Sequence, residues 1–367
     1  MGKDLILVIV VATALTFDFT NGFHDTANAV ATLISTRALS PRLAVAMSAV
    51  LNFVGSFISI KVATTVGKGI VEAGAASTTI VFAGLIGAIA WNLATWYFGL
   101  PSSSSHALIG GAVGAAFAAH GAGGVNGSGL VANVLVPSLV APVLAFVVAA
   151  VAITIAYRIV GRSRPGPVSR GFRLGQLITG GMQSFAHGTN DAQKTMGIIV
   201  LALIAHGDFT AAHFHVPTWV KISAASAIAL GTYAGGWRII RTMGSRIIKM
   251  DPAQGFAAQG AGASVLLAAA HFGFPLSTTH VISGGVMGAG AGKRLSAVRW
   301  GVAGNIVAAW VLTLPAAAIG GALVYGLTRI FGTGATGPLV VAVAAVAVLI
   351  GVFGRRLAEG RTLTAEG

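Results

Sequence analysis

Nine uninterrupted apolar runs, spaced by short polar or basic stretches, constrain this chain more than any other feature. They cover residues 5–17, 43–66, 80–100, 131–157, 174–203, 216–240, 257–274, 302–327 and 339–353. A helix needs about 20 apolar residues to cross the hydrocarbon of a bilayer, and most of these runs are long enough. Composition agrees: 55% of the 367 residues are hydrophobic and 9% charged, against roughly 25% charged in soluble domains. An ordinary soluble enzyme is excluded. The first run continues without a small-residue cleavage site into the polar stretch 18–28, so it reads as a retained span rather than a signal peptide. With no Cys, a disulfide framework, a thiolate metal site and a Cys nucleophile are also excluded.

The net charge of +14 would suggest nucleic acid in a soluble chain, but its placement points to a membrane. Residues 37–42, 158–173, 238–249, 293–299 and 355–361 hold 17 of the 23 Lys and Arg. Cytoplasmic loops collect such residues. The expectation is a multi-pass protein of the cell membrane, its N-terminus outside and its C-terminus cytoplasmic, with the lipid bilayer as partner, no nucleic acid, and room for a homo-oligomer. Tracing the sides through the runs places the two halves upside down relative to each other. Charge bias alone leaves open whether residues 74–120 cross twice or form a re-entrant hairpin.

The halves also match in sequence. Asn21-Gly-Phe-His-Asp-Thr-Ala-Asn28 aligns with His187-Gly-Thr-Asn-Asp-Ala-Gln-Lys194. Farther on, Pro101-Ser-Ser-Ser-Ser-His106 with Gly110, Gly111 and Gly114 aligns with Pro275-Leu-Ser-Thr-Thr-His280 with Gly284, Gly285 and Gly288. Inverted repeats with polar, helix-breaking segments at matching places point to a transporter site. The expected fold is an all-α polytopic membrane protein of two inverted-topology repeats with broken helices and re-entrant helical hairpins. Residues 1–160 form the first repeat, 171–330 the second, and 338–354 an additional transmembrane helix.

Asp18, Asp25 and Asp191 lie within or beside apolar segments, where a lone charge is costly and marks function by default. The bland alternative is that these carboxylates cap helix ends or pair with His24 or Lys194 for architecture alone. Gly22 and Gly188, with the amides of Asn21, Asn28 and Asn190, predict local unwinding that frees carbonyl oxygens as ligands for a small cation. Ser103, Ser104 and Ser105, and their counterparts Ser277, Thr278 and Thr279, follow a Pro and read as helix starts. Paired N-termini with added hydroxyls can hold an oxyanion from two sides. His106 and His280 read as structural histidines.

With these residues in place, the chain resembles the inorganic phosphate transporter family, and within it bacterial low-affinity permeases, through the duplicated Gly-x-Asn-Asp-x-x-Asn segment at Gly22–Asn28 and Gly188–Lys194. The resemblance implies inverted repeats, hairpins carrying the hydroxyl segments, inorganic phosphate as substrate, proton coupling, and passage of phosphate with a divalent metal such as Mg2+. Two departures bear on coupling: His24 replaces the first Asn of one copy, and Lys194 the last Asn of the other. A Lys ammonium cannot ligate sodium but can stand where a cation would bind, and His24 titrates near neutral pH. The reading is therefore a symporter importing phosphate, with Ser103, Ser104, Ser105, Ser277, Thr278 and Thr279 on phosphate. Asp25, Asn28, Asp191, Asn190, Asn21, His24 and Lys194 handle the coupling cation or proton, with no resident cofactor. A sodium-coupled symporter or a sulfate permease of the same fold are the alternatives. An intramembrane serine hydrolase is remote, because Ser105 and His106 are adjacent on a helix and diverge.

Overall fold

The computed structural model describes residues 2–72, 74–332 and 334–348. In chain order it forms α1 (Gly2–Ser35), α2 (Pro41–Gly55), α3 (Lys61–Gly69), α4 (Thr78–Phe98), α5 (Ser104–His120), α6 (Gly127–Leu130) and α7 (Val136–Val160). Then follow α8 (Pro165–His206), α9 (Thr218–Ala234), α10 (Trp237–Arg241), α11 (Pro252–Phe272), α12 (Thr278–Lys293) and α13 (Trp300–Ile330). A further apolar helix covers Thr336–Val348. Residues 349–354 of the expected last span and the basic group 355–361 lie outside the described residues. Among the described residues the chain is helical apart from loops and one isolated bridge, Val71 to Val125.

One order of elements occurs twice: a long helix, a split helix, a hairpin and a second long helix. The runs 43–66 and 216–240, read from sequence as single crossings, are each divided. The first breaks after α2 at Ser56, whose hydroxyl bonds back to the Asn52 carbonyl at 2.7 Å; the second breaks at Gly235, whose φ of 74° favours glycine.

The unwinding expected at Gly22 and Gly188 does not occur: α1 and α8 run unbroken through both. These glycines serve close packing instead. A Cβ on Gly22 would overlap the Ile228 carbonyl of α9, and one on Gly188 the Asn52 carbonyl of α2. Small residues let helix backbones approach when no side chain intervenes, and a sequence cannot distinguish that use of glycine from a break.

The true breaks lie at the hairpin tips. Helix α4 ends at Gly99 (φ 66°), the Leu100 amide donates to the Thr95 carbonyl at 2.9 Å, and Pro101 prevents continuation. Helix α11 ends identically at Gly273 (φ 83°), with Phe274 donating to Ala269 at 2.9 Å and Pro275 following. Helices α5 and α12 then start on Ser103 and Ser277, whose hydroxyls accept the His106 and His280 amides at 3.1 and 3.3 Å. Each tip is held from the other half. Lys61 Nζ donates to the His271 carbonyl at 2.8 Å, and Arg238 donates to the equivalent Tyr97 carbonyl.

The two halves interlock beyond the tips. Helix α7 packs on α12 and α13 on α5. Cβ atoms on Gly110 and Gly114 would strike the Leu314 and Ala318 carbonyls of α13, and Cβ atoms on Gly284 and Gly288 those of Pro142 and Phe146 in α7. The basic clusters 37–42, 158–173, 238–249 and 293–299 gather at one end. There Tyr157 donates to Asp251 at 2.6 Å, Lys293 pairs with Asp251 at 3.0 Å, and Gln176 joins Thr36 to the Pro252 carbonyl at 2.9 and 2.8 Å. Asp4 lies at the other end, 3.6 Å from His206.

Candidate functional site

About two-thirds of the way along α1 and α8, Asp25 and Asp191 face the starts of α5 and α12. Ser104 Oγ donates to Asp25 Oδ1 at 3.2 Å and Thr279 Oγ1 at 3.4 Å. The Thr278 hydroxyl lies 3.3 Å from both Asp25 Oδ2 and Asp191 Oδ2, so one hydroxyl bridges the two carboxylates. Asp25, Asp191, Ser104, Ser105, Thr278 and Thr279 are each at most 2% exposed. The expected union of negative side chains with hydroxyl-bearing helix starts is present, in a form closed to both sides.

At one pair of positions the two halves make corresponding contacts. Asn28 Nδ2 donates to Thr279 Oγ1 at 2.9 Å and to Thr278 Oγ1 at 3.2 Å. Its counterpart Lys194 donates to Ser105 Oγ, the counterpart of Thr279, at 2.5 Å. Lys194 Nζ also reaches Asp191 Oδ1 at 2.5 Å and the Leu276 carbonyl at 2.6 Å. The ammonium thus sits inside three oxygens, buried to 1%, as a small cation would. Asp25, His187 and Asp191 place one ligand-type atom each within 4.8 Å of one another, so the pocket has the donor set of a cation site with one positive charge built into the chain.

His24 Nδ1 lies 2.7 Å from Asp25 Oδ1 and its Nε2 lies 3.1 Å from Thr95 Oγ1. On α8 the part is played by His187, one turn before Asp191, with Nε2 3.2 Å from Asp191 Oδ2 and Nδ1 3.1 Å from Asn52 Oδ1. His187 was missed as a site residue. Its spacing of four from Asp191 on a helix carried the signal. Asn52, Thr95 and the Leu276 carbonyl carried none.

The other expected residues take different places. Ser103 and Ser277 are helix caps with their hydroxyls turned to backbone amides. Asn190 donates to the Phe274 carbonyl at the tip of the second hairpin at 3.1 Å. Asn21 is buried one turn before Asp25, with no hydrogen-bond partner for Oδ1. Ser105 bonds the Leu276 carbonyl at 3.3 Å, while the His106 ring stacks edge-on against His280 at 4.7 Å. Ser105 and His106, the adjacent pair considered for a hydrolase, do not bond to each other; the serine-histidine side-chain contacts among the described residues are those of Ser104 and Ser102 with His24, each at 3.4 Å.

Residues 21–321 match the phosphate transporter family. A probable low-affinity inorganic phosphate transporter of Mycobacterium tuberculosis is 54% identical over 327 residues, covering 89% of this chain and 78% of that one. Proteins with the same description in Rhizobium meliloti and Bacillus subtilis are 50% and 45% identical, covering 87% and 88% of this chain and 96% of each relative. A solved structure described as the sodium-dependent phosphate transporter superposes with a TM-score of 0.80 at 26% identity, covering 89% of this chain and 99% of that one. These relatives are transporters, not enzymes. Together with the duplicated motifs and the hydroxyl-carboxylate pocket, they establish that the chain belongs to the phosphate transporter family.

Proposed function

We propose that this protein imports inorganic phosphate as a symporter, with the proton as coupling ion. The observation that carries the reading is charge balance in a sealed pocket. Asp25 and Asp191 bring two negative charges and Lys194 returns one, so an incoming phosphate anion meets a net negative site in low dielectric. It can stay only if a cation arrives with it. Lys194 already stands on the oxygens where a mobile sodium ion would bind, which favours the proton as the mobile ion. The hydroxyls of Ser104, Ser105, Thr278 and Thr279, now turned toward carboxylates and a carbonyl, would turn to phosphate oxygens. Monohydrogen phosphate can also donate to a carboxylate, which sulfate cannot.

The positive-inside rule puts the basic end in the cytoplasm and Asp4 outside, so the duplicated halves would stand in opposite senses across the membrane. A divalent ion such as Mg2+ would travel as part of the substrate. The deciding experiment is uptake of radiolabelled phosphate into proteoliposomes under a proton gradient or a sodium gradient imposed alone. Accumulation with the proton gradient is expected; accumulation with sodium alone would overturn the choice of ion.

A further inference from the structure

Asp18 lies two turns before Asp25 on α1 and is 0% exposed. Neither of its oxygens has a hydrogen-bond partner, and neither have Asn21 Oδ1 and Thr195 Oγ1. The side chains of Thr195 of α8 and of Asn21 lie beside the Asp18 carboxylate, and the charges of Asp191 and Lys194 bear on it from α8. Neighbouring side chains thus hold four buried oxygens without a partner, and among the described residues no cation pairs with the carboxylate; a buried carboxylate in that condition is among the costliest groups a membrane protein can hold.

Asp18 also breaks the duplication. Its counterpart is Ser184, neutral and content with the Gly180 carbonyl at 2.9 Å. Lys194 breaks the duplication with the opposite sign, replacing the counterpart of Asn28. The second half thus carries an extra positive charge at Lys194, and the first half an extra negative one at Asp18, a different position of the duplication.

We propose that Asp18, with the oxygens of Asn21 and Thr195, forms a second cation site that takes one monovalent cation for each phosphate carried. A proton and a sodium ion share this chemistry, since either neutralises the carboxylate and engages the neighbouring oxygens. Asp25 and Asp191, a turn or more away, remain with the phosphate. The inference rests on the symport reading and assigns the mobile cation a seat separate from Lys194.

The test uses the full-length transporter in proteoliposomes with radiolabelled inorganic phosphate, in two modes: accumulation driven by a pH or a sodium gradient, and phosphate-phosphate exchange without any gradient. Asp18→Asn is expected to retain exchange and to lose driven accumulation by about ten-fold or more, and Asp18→Glu to restore it. The gradient whose effect disappears names the ion. Driven accumulation equal to wild type in Asp18→Asn overturns the proposal, and so does loss of exchange together with accumulation. If Asp18→Asn does not fold, Thr195→Val decides: a raised half-saturation for the driving cation at unchanged half-saturation for phosphate supports the site, and an unchanged cation dependence overturns it. Failure of the symport reading itself is distinguishable, because the wild type would then show no driven accumulation in either gradient.

Discussion

Asn28 and Lys194 occupy equivalent turns of α1 and α8 and reach equivalent hydroxyls, Thr279 at 2.9 Å and Ser105 at 2.5 Å, yet one is neutral and the other charged. The pocket keeps the shape of its duplication while departing from its electrostatics. On the proposed symport reading that departure distinguishes a built-in cation from a mobile one, and several outcomes follow.

Replacing Lys194 with Met leaves Asp191 charged, buried and short of its closest partner. Breaking such a pair costs about 3–5 kcal/mol, so Lys194→Met is expected to melt well below wild type in detergent and to carry no phosphate. Lys194→Asn restores the amide of the other half and is expected to make uptake respond to sodium. Melting curves and gradient-driven uptake check both; an Asn variant blind to sodium would show that Lys194 is no substitute for an ion.

The two central carboxylates should part company in stability. Asp25→Asn and Asp191→Asn are both expected to abolish phosphate uptake. Only Asp191→Asn strands the Lys194 ammonium, so it should be the less stable of the pair by roughly 1–3 kcal/mol. Equal melting temperatures would count against the Lys194–Asp191 pairing as described.

Close packing, not unwinding, is the role of the motif glycines. Gly22→Ala and Gly188→Ala drive a methyl into the carbonyls of Ile228 and Asn52 and are expected to destabilise by about 1–3 kcal/mol. At Gly181 an added Cβ meets only the end of Leu51, at 3.4 Å, so Gly181→Ala serves as the neutral control in the same thermal unfolding series.

Lys61 and Arg238 each hold one hairpin tip from an exposed position. A single exposed bond contributes up to ~1 kcal/mol, which limits the effect of its loss to about five-fold. Because the chain has no cysteine, Phe274→Cys and Leu100→Cys report the two tips separately. Lys61→Met should speed maleimide labelling at position 274 and not at 100, and Arg238→Met the reverse; acceleration at both tips by either variant would argue for general loosening.

At the basic end, burial pushes the Asp251 carboxyl up, but hydrogen bonds from Tyr157, the Gln254 amide and Lys293, with the Lys293 charge, outweigh it and hold it below the ordinary carboxylate value. A depressed folded pKa stabilises above the unfolded value of about 3.9 and that contribution disappears as pH falls through the folded value. Wild type should exceed Asp251→Asn by ~1 kcal/mol at neutral pH, and the difference should close in acid below pH 4. Unfolding of both proteins across that range measures it.

The apolar runs and the two hydroxyl segments were legible because lipid imposes length on a helix and because Pro followed by Ser or Thr marks a helix start in either half. The meeting of Asp25 with Asp191 was legible because the same motif appeared twice. Gly22 was misread because glycine serves both breaks and tight crossings, and only the neighbour, Ile228 some two hundred residues away, decides. His187 stands in the duplicated motif, but only the continuity of α8 through Gly188 puts it on the Asp191 face. Lys61 against His271 and α7 against α12 are tertiary pairings across the chain, for which a single sequence carries no local signal.

The exchange of α7 and α13 between halves bears on how the protein is made. A ribosome that has delivered the first 160 residues leaves α5 without α13 and α7 without α12, so the newborn segment rests in the bilayer with its glycine faces against lipid tails. Completion waits for the last long helix. Coexpressed fragments split at the loop before Pro165 would have to find each other to become active, and neither alone would carry a finished pocket.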